Sequence, residues 1–135
     1  MMKNFILTLL GVVGTLISSA FGGWSSALTT LVIFMAVDYI SGLVVAGVFH
    51  TSAKTESGGL KSSVGWQGIC RKGIMLAVVL VAARLDLLMN QTYLRDGVVI
   101  AFCGNELLSI TENAGLMGVP LPRVITSAID MLKEK

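Results

Sequence analysis

Residues 27–49 read ALTTLVIFMAVDYISGLVVAGVF, with one charged side chain, Asp38. A helix needs about 20 predominantly apolar residues to cross a bilayer, and this run supplies them. Upstream the pattern is stronger still. No charged side chain occurs between Lys3 and Asp38, and residues 4–22, NFILTLLGVVGTLISSAFG, form another run of spanning length. Downstream, ICRKGIMLAVVLVAARLDLLM (residues 69–89) and GVVIAFCGNELLSITENAGLMGV (residues 97–119) bring the number to four. The fold class predicted is an all-α integral membrane protein with about four transmembrane helices, three being the alternative. The transmembrane domain takes residues 1–119 and a cytoplasmic tail takes residues 120–135.

The composition agrees with that reading. Of 135 residues, 54% are hydrophobic and 13% charged, against about a quarter charged in soluble domains. Mean hydropathy is +0.81. The net charge of +2 is small, and the basic residues do not cluster in a stripe, so nucleic-acid binding has no support. Cys70 and Cys103 lack CxxC spacing and read as small apolar fillers. His50 is the single histidine, with no second ligand nearby for zinc. No metal and no cofactor is expected.

The connections follow from the turn residues. Gly22-Gly23-Trp24-Ser25-Ser26 is a tight turn with an aromatic suited to the membrane interface. TSAKTESGGLKSSVGWQG (residues 51–68) is the longest polar stretch, expected as a solvated loop with two Gly-rich turns and with Trp66 anchoring its far end. NQTYLRD (residues 90–96) is a short connection. Pro120 and Pro122 end the fourth run. In the tail, Leu121, Val124 or Ile125, Ala128 and Leu132 recur at helical spacing, predicting a short amphipathic helix. The first run also resembles a cleaved signal or a segment lying in the interface, but a retained span is the preferred reading.

Loop charge orients the chain. With four spans, one side carries Lys3, Lys54, Lys61, Arg71, Lys72, Arg123, Lys133 and Lys135, and the other carries Arg95. Both termini are therefore expected in the cytoplasm, and an even number of spans is favoured.

Beyond the Arg71-Lys72 pair at the start of the third run, five charged residues fall inside the apolar runs: Asp38, Arg84, Asp86, Glu106 and Glu112. A charge at the bilayer centre costs roughly 2.5–3.5 kcal/mol on insertion scales. Arg84 and Asp86 lie near the outer end of their run, where snorkelling and local pairing account for them. Asp38 is deep and needs a partner, water or a proton, while Ser41 and Gly42 one turn later allow a neighbouring helix close. In the fourth run, Asn105, Ser109 and Glu112 form one strip and Glu106, Ser109 and Asn113 an adjoining one. Such a face must meet protein or water. A buried hydrogen-bond seam and a pore lining fit it equally. Asp38, Asn105, Glu106, Ser109, Glu112 and Asn113 are thus the candidates for pore-lining or oligomer contact. No nucleophile–base pair or phosphate loop accompanies them, so no enzyme is expected.

The string NELLSITENAGLMGVPLP (residues 105–122) resembles the signature of the toxin-secretion and phage-lysis holin family. The matching elements are Asn105-Glu106, Leu108-Ser109-Ile110, Glu112-Asn113 and Gly118-Val119-Pro120-Leu121-Pro122. Asp38 with Ser41-Gly42, and Ser62 to Gly68 followed by Arg71-Lys72, are similar to two further family features. The likeness covers roughly residues 30–135 and departs at Arg84 and Asp86, where a more neutral stretch is expected. It implies a homo-oligomer in the bacterial host cytoplasmic membrane that opens lesions for a peptidoglycan hydrolase, or assists toxin secretion. Its partners would be copies of itself, the lipid bilayer, the hydrolase and an antiholin. A small proton-coupled transporter or channel is the alternative, and a membrane anchor for a partner a third.

Overall fold

In the computed structural model the described residues are 1–133, the last two by backbone alone. Lys135, counted above among the basic residues, lies outside them. Five α-helices follow in order: α1 Met2–Ala20, α2 Ser26–Val44 with a π-helical continuation over Val45–Phe49, α3 Ser62–Leu88, α4 Leu94–Leu116 and α5 Arg123–Lys133. No strand occurs among the described residues. Two stretches, Met2–Ala20 and Ser26–Phe49, are long and apolar enough to cross a bilayer by length and composition.

Each apolar run becomes a helix because a helix pairs its own backbone donors and acceptors, which an apolar surrounding cannot do. Ser25 caps α2 by accepting from the Leu28 N–H at 3.2 Å. Between α1 and α2, Gly22 and Gly23 adopt φ of +75° and +94°, a left-handed conformation that glycine enters without a Cβ penalty. Their amides close the end of α1 on the Ser19 and Ser18 carbonyls.

The core sits between α2, α3 and α4. Leu28, Leu31 and Met35 of α2 meet Met75 and Val79 of α3 and Val99 of α4. The α2–α4 contact is the most extensive and α3–α4 comes next. By contrast α1 buries no residue and touches α3 sparsely.

Three expectations need correction. Helix α3 starts at Ser62, so residues 62–68 are helical rather than loop. Gly65 and Gly68 are not turn signals there. A Cβ at either would meet the Tyr39 ring or hydroxyl at 3.3–3.6 Å, and Tyr39 Oη donates to the Gly65 carbonyl at 3.3 Å. The missing side chain at Gly65 lets α2 and α3 approach, while the 3.6 Å at Gly68 is an ordinary contact distance. Trp66 consequently lies on α3, exposed, and not at the end of a loop.

Second, Arg84 and Asp86 do not pair. Arg84 is exposed and forms no ion pair among the described residues. Asp86 is buried and accepts from the Leu94 and Arg95 amides at 3.0 and 2.9 Å and from Gln91 Nε2 at 3.2 Å. It thereby caps α4, whose own first residues supply no capping side chain. Third, Lys72 is not a loop charge. It stands ten residues into α3 and points into the bundle.

Candidate functional site

The site is a knot of polar side chains buried where α2, α3 and α4 meet. Lys72 Nζ donates to Asp38 Oδ2 at 2.7 Å and to Glu106 Oε2 at 2.8 Å. Asn113 Nδ2 lies 3.0 Å from Asp38 Oδ1, 3.1 Å from the Asp38 carbonyl and 2.8 Å from Ser41 Oγ. Ser41 Oγ in turn donates to the Asp38 carbonyl at 3.0 Å. Asp38, Glu106 and Asn113 are 7%, 2% and 6% exposed. Among the described residues no buried side-chain nitrogen or oxygen lacks a partner.

Helical phase brings these groups together. Asp38 follows Leu28, Leu31 and Met35 at steps of three, four and three. Lys72 precedes Met75 and Val79 at steps of three and four. Glu106 and Asn113 follow Val99 by seven and fourteen. Each polar residue thus extends the buried stripe of its helix. Gly42 faces the same group: a Cβ there would stand 3.8 Å from Asn113 Nδ2, an ordinary van der Waals distance.

Electrostatically the knot sets two carboxyl groups around one ammonium. Removing three charges from water is costly, and their attraction offsets that cost only when geometry is good and the remaining donors and acceptors are satisfied. Both conditions hold here. A cavity of about 180 Å³ opens beside the knot, and Asn105, Ser109 and Glu112 contribute to its lining. Lys54 and Lys61 reach it from the α2–α3 connection and Arg71 from α3. That connection is fastened to α4 where Thr51 Oγ1 donates to the Leu116 carbonyl at 3.1 Å.

The structure therefore divides the strip on α4. Glu106 and Asn113 turn inward and join Asp38. Ser109 is half-buried at the cavity, and Asn105 and Glu112 are exposed. The residue missed from sequence is Lys72, whose spacing from Met75, Val79 and Asp86 carried the signal. No group of three His, Cys, Asp or Glu side chains among the described residues is placed to hold a metal.

Two apolar helices of spanning length and interior charges that pair across the bundle fit a helical membrane protein. The comparison with known proteins is more particular. The chain belongs to the bacteriophage holin family, whose model matches residues 15–134. An uncharacterized 14.9 kDa protein from the nagH 3′ region of Clostridium perfringens is 37% identical over 124 residues, 90% of this chain and 88% of its own length. A Listeria monocytogenes protein is 34% identical over 117 residues, 86% of this chain and 78% of its own. A protein of Bacillus phage phi105 described as a probable holin is 32% identical over 107 residues, 78% of this chain and 73% of its own. No solved structure matches.

Proposed function

We propose that the protein is a holin, a non-enzymatic pore former of the bacterial cytoplasmic membrane. In this reading α1 to α4 are the four spans. The N-terminus, the α2–α3 connection and the tail then face the cytoplasm, where Lys54, Lys61 and Arg123 meet the anionic leaflet. Helix α5 lies along that face as an amphipathic helix. Copies accumulate, assemble and open lesions through which a peptidoglycan hydrolase reaches the cell wall.

The observation that carries the reading is the satisfied knot of Asp38, Lys72, Glu106 and Asn113. It closes the interior of a single copy. The adjoining cavity of about 180 Å³ has room for a few waters, each taking about 30 Å³, and not for a protein. A path wide enough for an enzyme must therefore run between copies. Family membership supports the holin role independently.

Inducible expression in a bacterium tests this. Growth is expected to stop abruptly, with loss of membrane potential and entry of an impermeant dye. Cells that keep their potential at high expression would refute it. The cavity reaching a charged knot favours one other reading, a small proton-coupled transporter or channel. Saturable, substrate-dependent flux without killing would select that alternative.

A further inference from the structure

The face of α4 that the bundle leaves uncovered carries Gly97, Ala101, Asn105 and Glu112, all exposed and at steps of four, four and seven. Asn105 and Glu112 border the cavity beside the knot, but no hydrogen bond or ion pair among the described residues uses either side chain. A Cβ at Gly97 would meet no atom within 4 Å. Asn105 is the twelfth of the 23 residues of α4 and makes no side-chain hydrogen bond among the described residues. If α4 spans, its amide stands at mid-bilayer, where polar groups persist when they meet protein. Glu112 has no ion-pair partner among the described residues.

Helix α1 offers the matching surface. It buries no residue, and Asn4, Thr8, Gly11 and Thr15 line one side of it at steps of four, three and four. A Cβ at Gly11 would likewise meet no atom within 4 Å, and Thr8, Gly11 and Thr15 border a shallow groove. Depth can be compared because Arg95 Nη1 donates to the Phe21 carbonyl at 2.7 Å, which levels the outer ends of α1 and α4. From Phe21 to Gly11 and from Arg95 to Asn105 are ten residues each, about 15 Å at 1.5 Å per residue. From Phe21 to Lys3 is about 27 Å and from Arg95 to Glu112 about 26 Å by the same rise. Asn105 therefore lies near the depth of Gly11, and Glu112 near that of Lys3, to within the reach of the Arg95 side chain.

We infer that α1 of one copy packs on the exposed face of α4 in the next copy, with Gly11 against Asn105 and Lys3 beside Glu112. This rests on the holin reading for the orientation of the chain in the membrane. Copies related by rotation about the membrane normal keep equal depths, so the match within one chain holds between chains. Charge selects the occupant. Two α4 faces related in that way would oppose Glu112 to Glu112, whereas α1 brings Lys3. The contact joins two different surfaces, so it repeats from copy to copy and builds rings or open arrays rather than closed dimers. Small residues on both sides allow the close approach that helices use in lipid.

Disulfide trapping in membranes tests the arrangement. In a background with Cys70→Ala and Cys103→Ala, a copy with Gly11→Cys and a differently tagged copy with Asn105→Cys are expressed together and oxidised. A mixed disulfide several-fold above either self-linked product is expected. Asn105→Cys paired with itself as the main product would overturn the inference. Thr8→Cys with Leu108→Cys provides an independent pair at one depth, and Gly11→Cys with Gly115→Cys, about 15 Å apart in depth, should stay unlinked. Lys3→Glu is expected to reduce the mixed product several-fold and Glu112→Lys in the partner to restore it; no change in either arm would also overturn it. Dye entry is scored separately. Lesions without the mixed disulfide refute this interface and leave the holin reading standing, whereas the disulfide without lesions does the reverse.

Discussion

Lys72 and Glu106 meet at 2.8 Å across α3 and α4, with the Glu106 side chain 3% exposed and that of Lys72 18%. The same ammonium nitrogen is 2.7 Å from Asp38 on α2, so one side chain joins three helices. Removing one partner of such an assembly leaves an uncompensated buried charge, which costs more than the pairing itself contributes.

Lys72→Met should therefore destabilise the bundle by about 3–5 kcal/mol, the range for breaking a buried pair. Thermal unfolding in detergent and the level of protein in membranes would measure it. Adding Asp38→Asn and Glu106→Gln should recover a large part of the loss. A Lys72→Met protein as stable as the parent would show that the ammonium does not hold the helices together.

Glu106 and Glu112 lie six residues apart on α4 and should respond differently. Glu106→Gln withdraws a negative charge from beside Lys72 and should lower stability by about 1–3 kcal/mol. Glu112→Gln alters an exposed group and should fall within about 0.5 kcal/mol. Equal losses in detergent, where copies are separated, would contradict this division of the strip.

Asp86→Ala removes the cap that Leu94 and Arg95 donate to. The expected cost is about 1–2 kcal/mol, with faster hydrogen exchange concentrated at those two amides. Uniform acceleration along α4 would place the effect elsewhere.

Topology is checked with single cysteines in a background lacking Cys70 and Cys103. In intact cells an impermeant thiol reagent should label Gln91→Cys and leave Ser57→Cys unlabelled until the membrane is opened. The reverse pattern would invert the proposed orientation.

Much of the helical layout was legible because long apolar runs and their breaks are one-dimensional features. Residues 27–49 needed only composition, and the turn at Gly22-Gly23 only glycine. The start of α3 was harder. Gly65 and Gly68 signal a turn by composition, yet act through their fit to Tyr39, a partner 26 residues away from Gly65. Lys72 was obscured by its neighbour. Beside Arg71 it reads as a basic pair at a membrane edge, and only its phase with Met75, Val79 and Asp86 separates the ammonium that joins the knot from the guanidinium that does not. Asp38, Glu106 and Asn113 were identifiable singly as costly residues, but their meeting depends on the side-by-side alignment of α2 and α4, which no local pattern encodes. The division between Glu106 and Asn105 likewise arises from which side of α4 its neighbours cover.

Arg95 gives α1 the mechanics of a lever. Its Nη1 lies 2.7 Å from the carbonyls of Phe21 and Gly23, so one end is held, while the rest of the helix buries no residue and has little packing to oppose a swing. Displacement grows with distance from the fulcrum. Over the roughly 27 Å to Lys3, a tilt of about 20°, ordinary for a spanning helix, carries the free end about 9 Å sideways. That is close to the ~10 Å diameter of a helix. A modest swing about one guanidinium thus moves the far end by one whole helix position.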